Sequence, residues 1–167
     1  MSPYVRYCEI MNYRGQDLDI ISNSVDEGER RELFFKEHIN KKYGIKLVKK
    51  DKYKHYDFKL DGNKNICLEL KTYNYKTDDL KNCFVGCDKI HYYHYRQTFN
   101  DDLRFFIVFG FYHLDNDRQY IKYLFTEVDT TKIKLLDKTT YLNKKHYLFC
   151  VADMKPLKEL VSIIQQR

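Results

Sequence analysis

The sequence lacks any hydrophobic run long enough to cross a membrane. Its most apolar stretch, residues 105–112, has eight residues, whereas a membrane-spanning helix needs about twenty. Residues 1–6 are polar and do not read as a secretory signal. No internal repeat, linker or low-complexity segment interrupts the pattern. We therefore expect a cytoplasmic protein without a membrane partner, or one of the host-cell cytoplasm or nucleus if the source is viral.

The sequence also lacks a cysteine framework. It has five cysteines, an odd number without paired CxxC spacing, which favours reduced thiols in the cytoplasm. Cys83 and Cys87 lie near His91 and His94, so a zinc site is an alternative reading. On one helix, however, the two cysteines would be a single turn apart, which is not a familiar zinc knuckle.

Glycine and proline are scarce, with six and two residues among 167. High lysine, asparagine and tyrosine with little glycine and proline is the composition that an A·T-rich genome produces, which suggests a virus, a phage or a low-GC bacterium. A hydrophobic content of 43% at this length predicts one domain spanning residues 1–167 with a substantial core.

Positive charge and tyrosine are abundant. The formal net charge is +6, and sixteen tyrosines are interleaved with clusters of lysine. Such a surface suits phosphate backbones and stacking on unpaired bases. Because codon bias alone gives the same composition, the charge permits a nucleic-acid partner but does not require one.

The most informative segment is residues 57–71, which reads DFKLDGNKNICLELK. It predicts a strand, a tight turn at Gly62 and a second strand. Side chains alternate along a strand, so Glu69 and Lys71 share one face and the leucines between them take the other. A hairpin that folds at Gly62 brings Asp57 back beside the end of the second strand. Two carboxylates and one ammonium are therefore expected to converge.

This set of groups suits a divalent-cation site that hydrolyses a phosphodiester. Mg²⁺ takes oxygen ligands and keeps several waters, so one or two carboxylates plus substrate phosphate oxygens suffice. Lys71 beside the ion could orient or deprotonate the attacking water, or stabilise the transition state as a positive charge. The alternative is that Asp57 and Glu69 are solvent-facing strand residues paired with lysines, since Glu-x-Lys tripeptides are common.

Asp57, eleven intervening residues and then Glu69-Leu70-Lys71 resemble the signature of the PD-(D/E)XK nuclease superfamily. Tyr56 stands where the signature has proline, a substitution that the superfamily tolerates. The resemblance implies an α/β fold with a restriction-endonuclease-like core, in which a mixed β-sheet is flanked by helices in the order α-β-β-β-α-β. Extra C-terminal strands and a helix would follow that core here. The likeness covers about the first 110 residues in element order.

What the resemblance implies about function is a metal-dependent nuclease, an endonuclease that hydrolyses DNA phosphodiester bonds with Mg²⁺ or Mn²⁺. By resemblance, Asp57, Glu69 and the backbone carbonyl of Leu70 hold the metal, Glu32 completes the shell directly or through water, and Lys71 positions the water nucleophile. A homodimer is compatible with one small domain, as in restriction enzymes, junction resolvases and intron-encoded endonucleases of this type.

Two other functions remain open at this point. The first is a non-catalytic nucleic-acid-binding or assembly protein on the same scaffold, because a fold does not establish a function. The second is a phosphodiesterase acting on RNA or on a cyclic nucleotide, because a metal site of this kind binds the phosphate and does not distinguish one sugar from another.

The segment before the motif predicts a helix over residues 25–43. Ser24 is suited to cap its start, acidic residues fill the first turn where the helix dipole favours them, and Gly44 follows as a stop signal. Apolar residues recur at roughly helical spacing and are expected to face the sheet. They are Leu33, Phe35, Ile39 and Tyr43.

Glu32 lies on or beside this apolar stripe. A carboxylate on a buried face is costly unless something pairs with it, and a metal would do so. By resemblance, Glu32 is the candidate for an acid on the first helix, and Glu29, one turn earlier, is the reserve. The alternative is that both are surface carboxylates paired with Arg30, Arg31 or Lys36.

The rest of the chain predicts further strands and helices. We expect an edge strand, a helix, two antiparallel strands, a short strand and a C-terminal amphipathic helix. Their positions are residues 45–49, 89–99, 105–112, 119–127 and 147–151, and the residues after Pro156. The first twenty or so residues are expected to add a strand or to wrap the core. On the helix at 89–99, Lys89 and Gln97 are the candidates for contact with nucleic acid, although about half of that helix must face the core.

Overall fold

The computed structural model describes residues 5–6, 24–50 and 56–166, with side chains described in 27–50 and 56–166. Its helices are α1 (Ser24–Tyr43), α2 (Cys87–Gln97) and α3 (Leu157–Gln165). Its strands are β1 (Val5–Arg6), β2 (Leu47–Lys49), β3 (Phe58–Leu60), β4 (Asn63–Tyr73), β5 (Asn82–Gly86), β6 (Arg104–Asp115), β7 (Arg118–Glu127), β8 (Lys138–Tyr141), β9 (Lys144–Cys150) and β10 (Lys155–Pro156). The fold is therefore mixed α/β.

The segment 57–71 forms the expected hairpin. β3 and β4 pair antiparallel, with Phe58 opposite Leu68. Gly62 occupies the turn at a φ of +83°, a conformation that glycine adopts at little cost because it has no Cβ. β4 then pairs with β6 in parallel, and parallel strands need a crossover connection, which here contains α2.

The main sheet is mixed and has the order β1-β7-β6-β4-β3-β2, with β10 also pairing with β7. The β4–β6 pair is parallel, and the other pairs are antiparallel. Both faces of the central strands are covered. This is why β6 reads in the sequence as a nearly continuous apolar run rather than as an alternating one.

One face of the main sheet packs against α1 and α3. Phe34, Phe35 and Ile39 of α1 join Leu68 and Leu70 of β4 in this core. Helix α1 ends where Gly44 takes a φ of +69° and its N–H donates to the carbonyl of Asn40.

The buried stripe of α1 differs from the expected one at Leu33. Leu33 is 45% exposed, so its predicted contact with the sheet is wrong. The stripe instead includes two polar side chains, Arg31 and His38, both of which are buried. A hydrophobicity pattern does not include such residues, which is why it shifted the stripe toward Leu33.

The other face of the main sheet packs against α2 and a second, three-stranded sheet. This sheet is antiparallel in the order β5-β9-β8. Its inward side chains, including Val85 and Tyr147, meet Ile90 of α2 and Ile107 of β6 in a second core. The sequence predicted a strand near β9 but neither β5 nor β8.

The other element predictions are confirmed to within a few residues at their ends. The mixed sheet flanked by helices is confirmed as well. Within residues 1–23 only the backbone of β1 is described, where Val5 pairs with Ile121; the rest of that prediction lies outside the described residues. No helix in the described ranges is both long enough and apolar enough to cross a membrane.

Candidate metal centre

The hairpin fixes Asp57 at the end of β3, beside β4. The N–H of Asp57 donates to the carbonyl of Leu68 at 3.0 Å, and the N–H of Leu70 donates to Oδ2 of Asp57 at 2.8 Å. The negative charge of Asp57 also contributes to the raised pKa of Glu69 on β4. The two carboxylates are thus neighbours.

Glu69 is almost completely buried, although it carries a carboxylate. The residue is 1% exposed and lies on the α2 side of β4. One oxygen, Oε1, receives two ammonium groups: Nζ of Lys71 at 3.3 Å and Nζ of Lys89, which also donates a hydrogen bond. The other oxygen, Oε2, is buried and has no hydrogen-bond partner among the described residues. A buried carboxylate oxygen without a partner costs free energy unless a ligand binds it.

Both carboxyl groups have raised pKa values. Burial is the main cause for Asp57, and the negative charge of Glu32 adds to it; the N–H of Leu70 and the two lysines act in the opposite direction. For Glu69, burial again raises the pKa most, followed by the charge of Asp57. Burial and neighbouring carboxylates thus disfavour the ionised form of each group, and a bound cation would offset both effects.

Lys89 remains a cation in this environment. Burial by itself would lower the pKa of its ammonium group, but the carboxylates of Glu69 and Asp57 outweigh burial, and the pKa is raised. Its side chain keeps about a quarter of its surface exposed. Lys89 can therefore contact Glu69 and solvent at the same time.

Glu32 lies near the pair of carboxylates but has a protein partner. Its Oε2 is 3.1 Å from Nζ of Lys49 on β2. The residue is half-buried, and its charge contributes to the raised pKa of Asp57. The structure thus brings Glu32 to the edge of the site as an ion-paired carboxylate, whereas the reserve candidate Glu29 is exposed.

The donor set fits a hard divalent cation. Asp57 and Glu69 supply carboxylate oxygens, and Oε2 of Glu69 lacks another partner. In a strand, the N–H and C=O of one residue point to the same side, so the carbonyl of Leu70 is directed toward Asp57 as its N–H is. No group of three or more His, Cys, Asp or Glu side chains with metal-site geometry occurs among the described residues. Two carboxylates and a carbonyl still suit Mg²⁺, which binds through one or two carboxylates and keeps several waters.

Gln97 is not part of this cluster. It ends α2, eight residues after Lys89, which corresponds to about 12 Å along a helix axis. Its amide donates to Tyr93 and to the carbonyl of Leu103 and accepts from Thr130, so both ends of the side chain serve contacts within the protein. Of the two residues predicted to contact nucleic acid, only Lys89 lies at the carboxylates.

The zinc alternative finds no support in the fold. Cys83 lies on β5 and Cys87 begins α2, so the two do not share a helix as the spacing had suggested. Both are free and buried, and burial is the main cause that raises the pKa of each thiol. Thiols of this kind are core residues rather than thiolate ligands.

Sequence reasoning missed a group of rings and cations beside Lys89. Tyr56 and Lys59 from the hairpin and Tyr92 and Arg96 from α2 line a gap of only about 20 Å³. The spacing of Tyr92 and Arg96, four residues apart on one helix, is the signal that could have placed them on the face of Lys89. The group combines aromatic rings with cations next to the carboxylates.

A separate cavity of about 840 Å³ lies between the end of α1, β7 and the start of α3. Lys42, Tyr123 and Leu157 are among its lining residues, and none of the predicted site residues is. The cavity therefore does not coincide with the predicted site residues.

The chain matches no protein-family model, no curated protein and no solved structure. Its function therefore has to be argued from the geometry of the site.

Proposed function

We propose that this protein is a nuclease that hydrolyses DNA phosphodiester bonds with Mg²⁺ or Mn²⁺. The observation that carries the proposal is the buried carboxylate of Glu69, with one oxygen held by two lysines and the other without a partner, next to Asp57. Natural proteins seldom bury a carboxylate in this way without a function for it. Asp57, Glu69 and the carbonyl of Leu70 would hold the ion.

When bound, the ion would supply Lewis acidity to a phosphate oxygen and to the attacking water. Asp57 and Glu69 orient the site for it, because both are fixed by the backbone of β4 and its hydrogen bond to Asp57. Burial excludes water from the inner side of Glu69, which strengthens every electrostatic interaction there.

Lys71 and Lys89 have distinct places in the proposed mechanism. Lys71 is on the same strand as Glu69, two residues further, and as an ammonium group would orient the attacking water, whose proton passes to solvent. Lys89 reaches the same carboxylate oxygen from α2 and stabilises the negative charge that develops on the phosphate. Both cations are already in position and need no rearrangement during the reaction.

The order of elements supports a restriction-endonuclease-like core. α1, β2, β3, β4, α2 and β6 follow one another as α-β-β-β-α-β, with β5 inserted before α2. Asp57 directly precedes β3, Glu69 lies on β4, and Lys89 lies at the start of α2. Fold analogy of this kind raises the expectation of nuclease chemistry without establishing it.

A nucleic-acid substrate is supported by the surface next to the site. Tyr56, Lys59, Tyr92 and Arg96 place aromatic rings and cations beside Lys89. Cations contact phosphates, and aromatic rings stack on bases. A DNA strand that lies across these side chains would present a phosphate to the carboxylates.

The proposal is tested by cleavage assays with two variants. Glu69→Gln removes a metal ligand without changing shape, and Lys71→Ala removes the cation beside the water. We expect each to lower the cleavage rate at least about 100-fold with Mg²⁺ or Mn²⁺, while the melting temperature changes by a few degrees at most. The matched controls are Glu159→Ala and Lys64→Ala, both exposed, which should cleave as wild type does. If wild type cuts no supercoiled, linear, branched or single-stranded DNA with either metal, the proposal is wrong.

A second candidate function is a non-catalytic nucleic-acid-binding protein on the same scaffold. The contact of Lys89 and Lys71 with Glu69 favours it, because two ammonium groups partly neutralise the carboxylate without a metal. Titration calorimetry with Mn²⁺ separates the two functions. Binding that disappears in Asp57→Ala supports the nuclease, and no Mn²⁺ binding by wild type supports the second candidate.

A further inference from the structure

Three aromatic rings form a cluster on the outer face of the three-stranded sheet. Phe84 of β5 lies 5.6 Å from Tyr141 of β8 and 6.0 Å from His146 of β9, measured between ring centroids. Tyr141 and His146 are 6.3 Å apart. Phe84 is 37% and Tyr141 53% exposed, so large rings meet where solvent reaches them. We call these three residues the aromatic cluster.

The alternation of the strands explains why these rings point outward. On β5, Cys83 and Val85 are buried against α2, which sends Phe84 to the other side. On β9, Tyr147 is buried and His146 takes the outer face. The aromatic cluster is therefore a fixed feature of the sheet register and not a chance contact of loops.

The surroundings of the aromatic cluster carry positive charge. The hairpin of β8 and β9, residues 138–150, contains Lys138, Lys144 and Lys145 and no acidic residue. All three lysines are exposed, but only Lys144, opposite Tyr141, shares the face of the aromatic cluster; Lys138 lies over the ring of the buried Tyr147, and alternation turns Lys145 the same way. Exposed rings edged by a cation are complementary to a polyanion with flat apolar groups, which is a description of an unpaired nucleic-acid strand.

The hairpin tip adds an exposed apolar side chain. Leu142 and Asn143 both take positive φ, 50° and 63°, as a two-residue hairpin turn of this type requires. Asparagine is common there, whereas a bulky leucine is not. Leu142 is nevertheless 78% exposed, so it gains nothing from burial within the protein. An apolar residue kept at this cost suits contact with a base.

The aromatic cluster is joined to the candidate metal centre by β4. The hydroxyl of Tyr73, at the end of β4, donates to the carbonyl of Phe84 at 3.2 Å. Tyr73 is four residues beyond Glu69, which corresponds to about 13 Å along a strand.

We infer that the aromatic cluster binds the bases of single-stranded DNA, a few nucleotides from the bond to be cut. Phe84, Tyr141 and His146 stack on unpaired bases, and Lys144 contacts a phosphate between them. The inference rests on the proposed nuclease function for the path of the strand and adds a substrate class to it: DNA with an unpaired segment. Paired bases in a duplex would not reach the rings.

The first test measures DNA binding in EDTA, so that cleavage plays no part. A fluorescein-labelled thymidine 12-mer and a labelled blunt duplex of equal length are each titrated with wild type and with the double variant Phe84→Ala/Tyr141→Ala. Binding is followed by the fluorescence anisotropy of the label. We expect wild type to prefer the single strand and the variant to bind it at least about fivefold more weakly, with duplex binding unchanged. The matched control is Tyr95→Ala/Phe99→Ala, an exposed ring pair 5.2 Å apart at the end of α2, which should bind as wild type does.

The second test uses the absence of tryptophan from the sequence. Tyr141→Trp creates a single-tryptophan protein, and its emission should be quenched when the thymidine 12-mer stacks on the ring. Tyr95→Trp places the reporter outside the aromatic cluster and should show little quenching. This readout also covers the case in which the double alanine variant does not fold.

The lysine on the face of the aromatic cluster is tested through salt dependence. Lys144→Ala should reduce the slope of log K against log salt for the single strand by about 0.7, the contribution of one phosphate contact. Equal losses in the aromatic cluster and control variants, or no binding to a single strand at low salt, would overturn the inference. Cleavage of duplex DNA is measured separately, so failure of the aromatic cluster and failure of the nuclease are distinguishable.

Discussion

At the scale of single residues, the two oxygens of Glu69 differ in an informative way. Oε1 has two ammonium partners, and Oε2 has no hydrogen-bond partner among the described residues. A carboxylate buried only for stability would be expected to have both oxygens satisfied, because each unsatisfied oxygen costs about 1–3 kcal/mol. The arrangement instead resembles sites where stability is given up for function.

Asp57 offers a direct test of that view. Because its pKa is raised in the folded state, its ionised form is less favourable when folded than when unfolded. The stability linked to this group is present when it is protonated, below pH about 4, and is lost as the pH rises through its folded-state value. At pH 7, Asp57→Asn removes this penalty and can still accept from the N–H of Leu70.

We therefore expect Asp57→Asn to melt at or above the wild-type temperature in EDTA at pH 7. With Mn²⁺ present, wild type should be stabilised and the variant should not. Differential scanning calorimetry of both proteins, with and without the metal, measures this. A fall of more than about 5 °C for Asp57→Asn in EDTA would identify Asp57 as a structural residue.

At the scale of elements, the position of α1 depends on one buried arginine. Arg31 donates to Oγ1 of Thr72 at 3.1 Å and to Oδ1 of Asn74, and pairs with Glu27. Its guanidinium group lies 4.0 Å from the ring centroid of Tyr112 on β6. Arg31 therefore links α1, which carries Glu32, to the end of β4, which carries Glu69. It also links α1 to β6, the parallel neighbour of β4.

Arg31→Ala should be strongly destabilising. It leaves polar groups of β4 without their partner and exposes the ring of Tyr112, and losses of about 3 kcal/mol are typical when a buried charged network is broken. For a chain of this length, that corresponds to a fall in melting temperature of about 6–12 °C. Thermal unfolding of Arg31→Ala and Arg30→Ala provides the comparison, because Arg30 is exposed and its loss should cost far less. Equal effects would show that the buried contacts of Arg31 do not hold the helix.

At the scale of the whole molecule, the main sheet separates two cores, and the candidate site lies on the side of the sheet that faces α2. The α1 side contains Leu68 and Leu70, and the α2 side contains Cys67 and Ile107. Glu69 lies on the α2 side, so its carboxylate is held by a rigid strand between two packed layers. A ligand that binds there should stabilise the whole fold by mass action.

Mn²⁺ should accordingly raise the melting temperature in a pH-dependent way. At 100 times its Kd the ion adds about 2.7 kcal/mol, or about 5–11 °C for a chain of this length. Because the pKa values of Asp57 and Glu69 are raised, protons compete with the ion at a higher pH than for ordinary carboxylates. The Mn²⁺-induced shift should therefore shrink as the pH falls from 7 toward 5. Melting curves at several pH values measure it, and a shift that is constant over this range would argue against these two ligands.

The sequence by itself predicted the hairpin and the approach of its charged side chains. Gly62, the alternation of Glu69 and Lys71, and the upstream Asp57 are local features, and local geometry fixes how they meet. The end of α1 at Gly44 and the apolar run of β6 are local in the same sense. For these elements the pattern along the chain and the final structure agree, because few distant contacts can change them.

Tertiary structure decided what approaches the hairpin from elsewhere. Lys89 lies on Glu69 because the crossover of β4 to β6 sets α2 against that face, whereas Gln97 on the same helix serves contacts within the protein. The pairing of Glu32 with Lys49 and the outward face of Phe84 likewise depend on strands paired at a distance. No period in the sequence encodes such pairings, since their free energy comes from burial between segments that are far apart in the chain.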